Sequence, residues 1–334
     1  QKIQRKYNGP YKGEYLNRPA FPIGGLGAGM FCLEGTGAIS HMSVRNKPEV
    51  FNEPAMFAAV SVKGLKNGAK VLEGQVPEWK YFGRAGSGNG LAGSTLGLPR
   101  FKSAECLTRF PFSTISLEDD ELPLKVRITG WSPFIPTDED NSGLPAGALE
   151  YHFVNKGKEK LEAVFSYNSK NFLADDRDAV NAIEAIPNGY VLTQQGTKDK
   201  PYLQARFSIF TNDENTVVDH CWFRGGWWDP LTMAWNNIRD GKLKAVDPVE
   251  KDAGGASLFI PFSLSPGSSK TIRLMMAWYV PETNLHIGTV VLDEKKNCDP
   301  ESGWGAGPVD LGVAKGKESP SANYKPWYSS KFND

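Results

Sequence analysis

The sequence lacks an excess of either charge. Lys plus Arg and Asp plus Glu number 38 each, so the formal net charge is +0 and no global field draws the chain to nucleic acid or an anionic membrane. It has no apolar run long enough for a membrane span, and its start, Gln1-Lys2-Ile3-Gln4-Arg5-Lys6-Tyr7, lacks the apolar middle of a signal peptide. A chain opening on Gln1 rather than Met leaves room for a leader removed by processing. The compartment therefore stays open, with a periplasmic or extracellular setting favoured over a cytoplasmic one. Cysteine is scarce: Cys32, Cys106, Cys221 and Cys298 stand far apart with no C-x-x-C pair, which argues against a zinc or redox site. They read as buried small apolar residues rather than a disulfide framework. The four histidines, His41, His152, His220 and His286, form no metal-spaced pair and lie beside no nucleophile motif. Helical periodicity is thin, with short helices expected only within Asp176 to Ile186 and Pro230 to Arg239.

What the sequence does have is glycine in one conspicuous place, Phe21-Pro22-Ile23-Gly24-Gly25-Leu26-Gly27-Ala28-Gly29-Met30-Phe31. Gly24, Gly25, Gly27 and Gly29 permit backbone angles closed to other residues, while Ile23, Leu26, Met30 and Phe31 anchor the stretch in apolar material. A phosphate-cradling P-loop would need Lys and Ser/Thr where Met30 and Phe31 stand. A dinucleotide fingerprint would need a third glycine at Met30 and a following helix. Both readings fail, leaving a tight, half-buried loop at an interface or cleft.

The rest alternates with period two. Leu124-Lys125-Val126-Arg127-Ile128-Thr129-Gly130-Trp131 is the clearest strand, apolar and polar positions taking turns as in a sheet with one wet face. Further strands are expected at Ala38 to Val44, Met56 to Val62, Phe112 to Leu117, Leu149 to Phe153, Leu161 to Tyr167, Gly189 to Thr193, Leu203 to Phe210, Ser257 to Leu264 and Thr271 to Val280. The pair flanking Asn155-Lys156-Gly157 is expected to lie side by side. Residues 78–103, with six scattered glycines and no periodicity, read as a long loop. Strands at this spacing joined by Gly and Pro turns predict an all-β fold, an antiparallel β-sandwich with long loops and one or two short helices. Residues 1–293 form that domain, with 1–20 as an extended lead-in.

Three constellations invite chemistry. Asp138, Asp140 and Ser142, with Gly143 at the sixth place, resemble the opening of a calcium loop, but the twelfth position is Leu149 and the carboxylate comes one place late at Glu150. A solvated acidic turn is the competing reading. The carboxylates Asp119, Asp120 and Glu121, and Asp175, Asp176 and Asp178, are crowded in sequence, but a glycosidase pair is defined by spatial separation, so they read as loop charges. Trp222, Trp227, Trp228 and Trp235 fall within fifteen residues. Flat rings with one polar edge suit stacking on a sugar, packing against another domain, or core within this one. His41, soon after the glycine loop and followed by Arg45, is the histidine that a sugar or interdomain contact would use.

Several segments together resemble the N-terminal domain of the glucosylceramidase-like, or bile-acid β-glucosidase, glycoside hydrolases of family 116. They are Pro22-Ile23-Gly24-Gly25-Leu26-Gly27-Ala28-Gly29, Trp131-Ser132-Pro133-Phe134-Ile135-Pro136 with the acidic loop and Leu144-Pro145-Ala146, Phe153-Val154-Asn155, and Trp327-Tyr328-Ser329-Ser330-Lys331-Phe332. The resemblance implies a β-sandwich followed by a catalytic (α/α)6 barrel that carries the nucleophile and acid/base of a retaining β-glycosidase. Residues 294–334 would then be a linker and extension toward that barrel. No catalytic residue, cofactor or metal is expected here, and the segment alone is expected to be inactive, with the barrel and a carbohydrate or glycoconjugate substrate as its partners. The alternative is an autonomous carbohydrate-binding sandwich whose platform is Trp227, Trp228 and Trp235. The glycine loop is expected to lie against the surface on which the barrel docks.

Overall fold

The computed structural model describes residues 5–50, 52–81, 94–176, 178–226, 229–284 and 324–332. Along the chain come β1 (Tyr11–Lys12), β2 (Ala20–Ile23), β3 (Met30–Glu34), β4 (Ile39–Ser43), β5 (Met56–Val62), β6 (Ala69–Val71) and the single-turn helix α1 (Glu78–Tyr81). Then follow β7 (Ser103–Arg109), β8 (Phe112–Glu118), β9 (Leu124–Trp131), α2 (Glu139–Ser142), β10 (Ala146–Asn155), β11 (Leu161–Lys170), β12 (Asn181–Ile186) and β13 (Gly189–Gln194). The remainder is β14 (Ala205–Thr211), β15 (Val217–Asp219), α3 (Pro230–Arg239), β16 (Gly255–Leu264) and β17 (Ser269–Tyr279).

A nine-stranded sheet, in the order β1-β7-β8-β9-β10-β17-β14-β13-β12, faces a five-stranded sheet, β15-β16-β11-β5-β6. Adjacent strands run antiparallel throughout. The expected sandwich is the observed fold. Strand β9 shows why: Leu124, Val126 and Ile128 point into the core while Lys125 and Arg127 point to water. Between the sheets the Phe165 ring of β11 lies 5.0 Å from Tyr151 and 6.0 Å from Phe153 of β10. Truncating so central a ring to Ala costs about 3–5 kcal/mol.

Two expectations are corrected. Strands β10 and β11 are not neighbours: β10 pairs with β9 and β17, and β11 with β16 and β5. The Asn155-Lys156-Gly157 turn carries the chain from one sheet to the other. Asn155 stabilises that arch by accepting from Gly157 N at 2.8 Å and donating to Glu159 O and Leu264 O. The connection from β16 to β17 crosses in the same way, and the two arches are tied by Asn155 N to Ser268 O and Gly267 N to Asn155 O. Second, Asn181–Ile186 is a strand rather than part of a helix. It forms a hairpin with β13 around Pro187-Asn188, where Ile186 pairs with Gly189 and Asn188 takes the left-handed φ of 54°.

Helix α3 forms where expected. Asp229 caps it, accepting from Leu231 N and Thr232 N, Pro230 sits at the first position, and Gly241 at φ 61° follows its end. Its buried Leu231, Ala234, Trp235 and Ile238 cover the outer face of the five-stranded sheet, meeting Phe57, Ala59, Val164 and Phe259 in a second core. Strand β5 is consequently buried on both faces.

A third sheet, β2-β3-β4, holds the glycine loop between β2 and β3. It seats on the large sheet where two strands lack side chains. A Cβ on Gly130 would fall 2.5 Å from Ile23 Cδ1, and one on Gly147 would fall 2.4 Å from Ile23 Cγ2. Those two glycines make the notch that receives Ile23.

Candidate functional site

The glycine loop is pinned from three directions. Gly24 N donates to the Ser132 hydroxyl at 3.2 Å, and that hydroxyl donates to Pro22 O at 3.3 Å. Leu26 N donates to Ser142 O at 2.8 Å, joining the loop to α2. From β17, Trp278 Nε1 reaches Ala28 O at 2.6 Å, a buried bond between residues 250 apart in sequence. The indole itself is stacked on Phe207, rings 5.9 Å apart and 5° from parallel, with Phe31 edge-on at 6.3 Å.

Each signature glycine has its reason. Gly27 and Gly29 take φ of 73° and 91°. Gly25 is required by space: a Cβ there would lie 2.1 Å from Leu144 O and 2.7 Å from Gly143 C. Gly24 is likewise closed off, with Gly29 O 2.2 Å from its notional Cβ.

The pinned loop and the segments beside it present apolar groups to water. Leu26 is 61% exposed, Phe110 59% and Ile135 51%, and Phe134 packs edge-on against Phe110 with ring centroids 4.9 Å apart. A cleft of about 320 Å³ runs between the loop and Phe110, Ser132, Pro133 and Phe134. A second, of about 290 Å³, separates the loop and α2 from Trp327 and Tyr328. The C-terminal segment is anchored there by Tyr328, whose buried hydroxyl donates to Val280 O and accepts from Val280 N. Lys331 pairs with Asp140 and sits over the Trp327 ring. Phe110 is a functional candidate that sequence reading missed, and Phe134 and Ile135 were singled out only within a family segment; exposed apolar side chains within loops follow no period that could betray them.

The remaining sequence candidates go elsewhere. Trp222 and Trp235 belong to the second core on the outer face of the five-stranded sheet, where Trp222 Nε1 donates to Ser257 Oγ at 2.9 Å. Trp222 is 3% exposed and offers no face for stacking on a ligand. Trp227 and Trp228 lie outside the described residues. Arg45 is spent on structure: it donates to Leu173 O at 2.6 Å and Leu203 O at 3.1 Å, with Asp175 at 3.5 Å. Burial pulls its pKa below the ordinary value, partly offset by Asp175 and Glu49. His41, at φ 52°, holds Ser40 Oγ at 2.7 Å through Nδ1, and its N–H donates to Asn52 O.

The oxygens of the calcium-like turn are engaged in its own geometry. Asp138 accepts from the backbone and side-chain nitrogens of Asn141, which lowers its pKa, and Ser142 Oγ exchanges bonds with Ile135 N and O. Among the described residues no group of three or more His, Cys, Asp or Glu is placed to hold a metal. The crowded acids are also occupied: Asp119 and Glu121 share Lys70, each at 2.8 Å, and Asp176 holds Lys200 at 2.7 Å. Cys32, Cys106 and Cys221 are buried free thiols. Among the described residues no helix is long and apolar enough to cross a membrane.

Comparison with solved structures returns carbohydrate-active proteins at low identity. A protein described provisionally as a kojibiose phosphorylase, from the human microbiome, is 8% identical over 81% of this chain and 25% of its own, with a TM-score of 0.36. One described provisionally as an aldose 1-epimerase, from Escherichia coli K12, is 10% identical over 78% of this chain and 99% of its own, at 0.40. A GH36 alpha-galactosidase from Geobacillus stearothermophilus is 11% identical over 78% and 41%, at 0.36. The chain thus spans a quarter of the phosphorylase, and likenesses of this size decide nothing about activity. The family comparison is different in kind, because residues 20–334, from β2 through the anchored C-terminal segment, match the family described as beta-glucosidase 2, glycosyl-hydrolase family 116 N-term. The chain belongs to the glycosyl-hydrolase family 116 N-terminal domain family.

Proposed function

We propose that the chain serves as a non-catalytic β-sandwich domain of a retaining β-glycosidase of the β-glucosidase type. In this reading it packs against the catalytic (α/α)6 barrel through the glycine-loop face and shapes one side of the substrate cleft. The observation that carries the proposal is the pairing of rigidity with exposed apolar surface. Leu26, Phe110, Phe134 and Ile135 stand out on a loop system pinned by Ser132, Ser142 and Trp278. Apolar groups held this firmly in water are a docking surface by composition, since interdomain contacts within a chain bury about 600–1,500 Å². The nucleophile and the acid/base belong to the barrel in this reading, so the chain positions and supports and performs no bond cleavage.

The test uses the full enzyme and the 334-residue chain in parallel. Leu26→Asp and Ile135→Asp change exposed side chains, so the isolated sandwich should keep its melting temperature within about 2 °C. In the full enzyme the same changes should lower turnover of an aryl β-glucoside at least about tenfold or separate the domains to proteolysis. Unchanged turnover and unchanged proteolysis in both variants would sink the docking reading. Turnover by the 334-residue chain, abolished by a single carboxylate change, would sink the non-catalytic one.

A further inference from the structure

The outer face of the nine-stranded sheet changes character at one level across its middle strands. An antiparallel sheet with one wet face keeps its outward positions polar, and one outward row obeys that rule: Thr114 of β8 pairs with Thr129 of β9, Thr129 with Glu150 of β10, and Glu150 with Arg273 of β17. The next outward row does not. Phe112 pairs with Trp131, Trp131 with Ala148, Ala148 with Met275, and Met275 with Phe210, so an unbroken apolar row runs from β8 through β9, β10 and β17 to β14. Beyond it Ala146 stands opposite Ala277, again without a charge. Helix α3 covers the outer face of the five-stranded sheet, whereas here Phe112 is 50% exposed and Trp131, Met275 and Phe210 are half-buried.

The apolar row lies at the end of the sheet that carries the glycine loop. Trp131 leads directly into Ser132, Pro133 and Phe134 of the loop cleft, and Phe112 follows Phe110 of the same cleft. On its other side the row is bordered by Glu150 and Arg273, which hold each other at 2.7 Å and leave that border without net charge. An apolar centre with a polar border is how an interface is built. Its size decides between occupants. At the usual spacing and rise of strands, the row from Phe112 to Phe210 with its Ala146 and Ala277 flank measures about 19 Å by about 14 Å, roughly 270 Å². A stable dimer needs about 800 Å² from each partner, which excludes a second copy seated on this row alone. Domains of one chain meet over about 300–750 Å² a side, a range reached when the row and the adjoining loop face are covered together.

We infer that the footprint of the barrel runs from the glycine-loop face onto this row, making Met275 and Phe210 interdomain contacts. The inference rests on the docking reading of the loop face.

The experiment oxidises accessible side chains with hydroxyl radicals and reads the rate at each residue by mass spectrometry, in the 334-residue chain and in the full enzyme. Met275 and Phe210 should react at least about fivefold more slowly in the full enzyme, while Leu243, exposed beyond α3 at the opposite sheet, keeps its rate. Protection of Leu26 and Ile135 without protection of Met275 and Phe210 would overturn this inference and leave the docking reading standing; no protection at either place would overturn both. Slow oxidation of Met275 and Phe210 already in the 334-residue chain would assign the cover to a segment of that chain, and protection that grows as that chain is concentrated would assign it to a second copy; each result overturns the inference. Met275→Lys and Phe210→Lys supply the functional arm. A lysine stem can lie along the sheet with its ammonium in water, so both variants of the 334-residue chain should melt within about 3 °C of the parent. In the full enzyme each should speed proteolytic separation of the domains at least about threefold, and unchanged proteolysis in both would overturn the inference.

Discussion

Replacing Gly25 by Ala tests whether the signature loop is built on close approach. The new methyl would stand 2.1 Å from Leu144 O and 2.7 Å from Gly143 C, both backbone atoms, so no side chain can swing aside. The obstructing carbonyl is not free to move. Ala146 N donates to Leu144 O at 2.7 Å, and Trp278 N donates to Pro145 O at 2.9 Å, locking the entry to β10. Relief must come from the loop, at the expense of the Leu26 N to Ser142 O bond. Overpacking of about 1–3 kcal/mol and a lost bond of about 0.5–1.5 kcal/mol sum to roughly 2–4 kcal/mol. At about 2 °C per kcal/mol in a chain of this size, the melting temperature should fall by roughly 4–8 °C. Gly27→Ala is the control. Nothing lies within 4 Å of its notional Cβ, so only the left-handed φ of 73° penalises it, by about 1–2 kcal/mol. Calorimetry on the three proteins gives the ordering directly. If Gly25→Ala costs no more than Gly27→Ala, the close-approach argument is wrong.

Lys70→Met should destabilise by about 3–5 kcal/mol at neutral pH, because it strands the buried Asp119 carboxylate. Burial pushes the Asp119 pKa up, but Lys70 and the N–H groups of Glu121 and Lys102 prevail and lower it. Its contribution is therefore present above the ordinary 3.8 and lost as pH falls through the lowered value, so the difference between variant and parent should shrink in urea titrations below about pH 4. Tyr328→Phe removes both bonds to Val280 and should speed proteolytic release of the 324–332 segment while leaving the sandwich intact, with a cost of about 1–3 kcal/mol at that anchor. A variant indistinguishable from the parent to protease would contradict that anchor. Trp222→Ala should cost about 3–5 kcal/mol in chemical denaturation, as expected of a core ring; a cost under about 1 kcal/mol would return it to the candidate ligand contacts.

Much of the sandwich could be read from alternation because alternation is what a one-sided burial demands. Strand β9 shows it without error, and α3 lies where a short helix at Pro230 to Arg239 was expected. Sheet membership was not legible. The Asn155-Lys156-Gly157 turn looks like a hairpin turn, and only the distant partners Leu264 and Ser268 show that it is an arch between sheets. Strand β7, just beyond the stretch read as loop, was not expected because its burial alternates weakly at the rim of the large sheet. The site was half legible. Glycines betray close approach locally, so the loop could be found, whereas Phe110 and Phe134 acquire meaning only from the cleft that folding builds around them. Of the tryptophan cluster, Trp222 and Trp235 take the core reading, meeting other buried residues instead of a shared surface.

The bond from Trp278 to Ala28 also sets a schedule. On a chain made from its N-terminus, Ala28 emerges early and its partner 250 residues later, a delay of about 10–50 s at roughly 5–20 residues per second. Until the end of that interval Phe31 has no Trp278 to pack against, and for its first half Ile23 has no Gly147 of β10 to receive it. The loop face can close only after β17 has slotted between β10 and β14, near the end of the sandwich. A nascent chain therefore cannot offer its finished glycine-loop surface to any partner before the whole domain is in hand, and errors in the first thirty residues are revealed last.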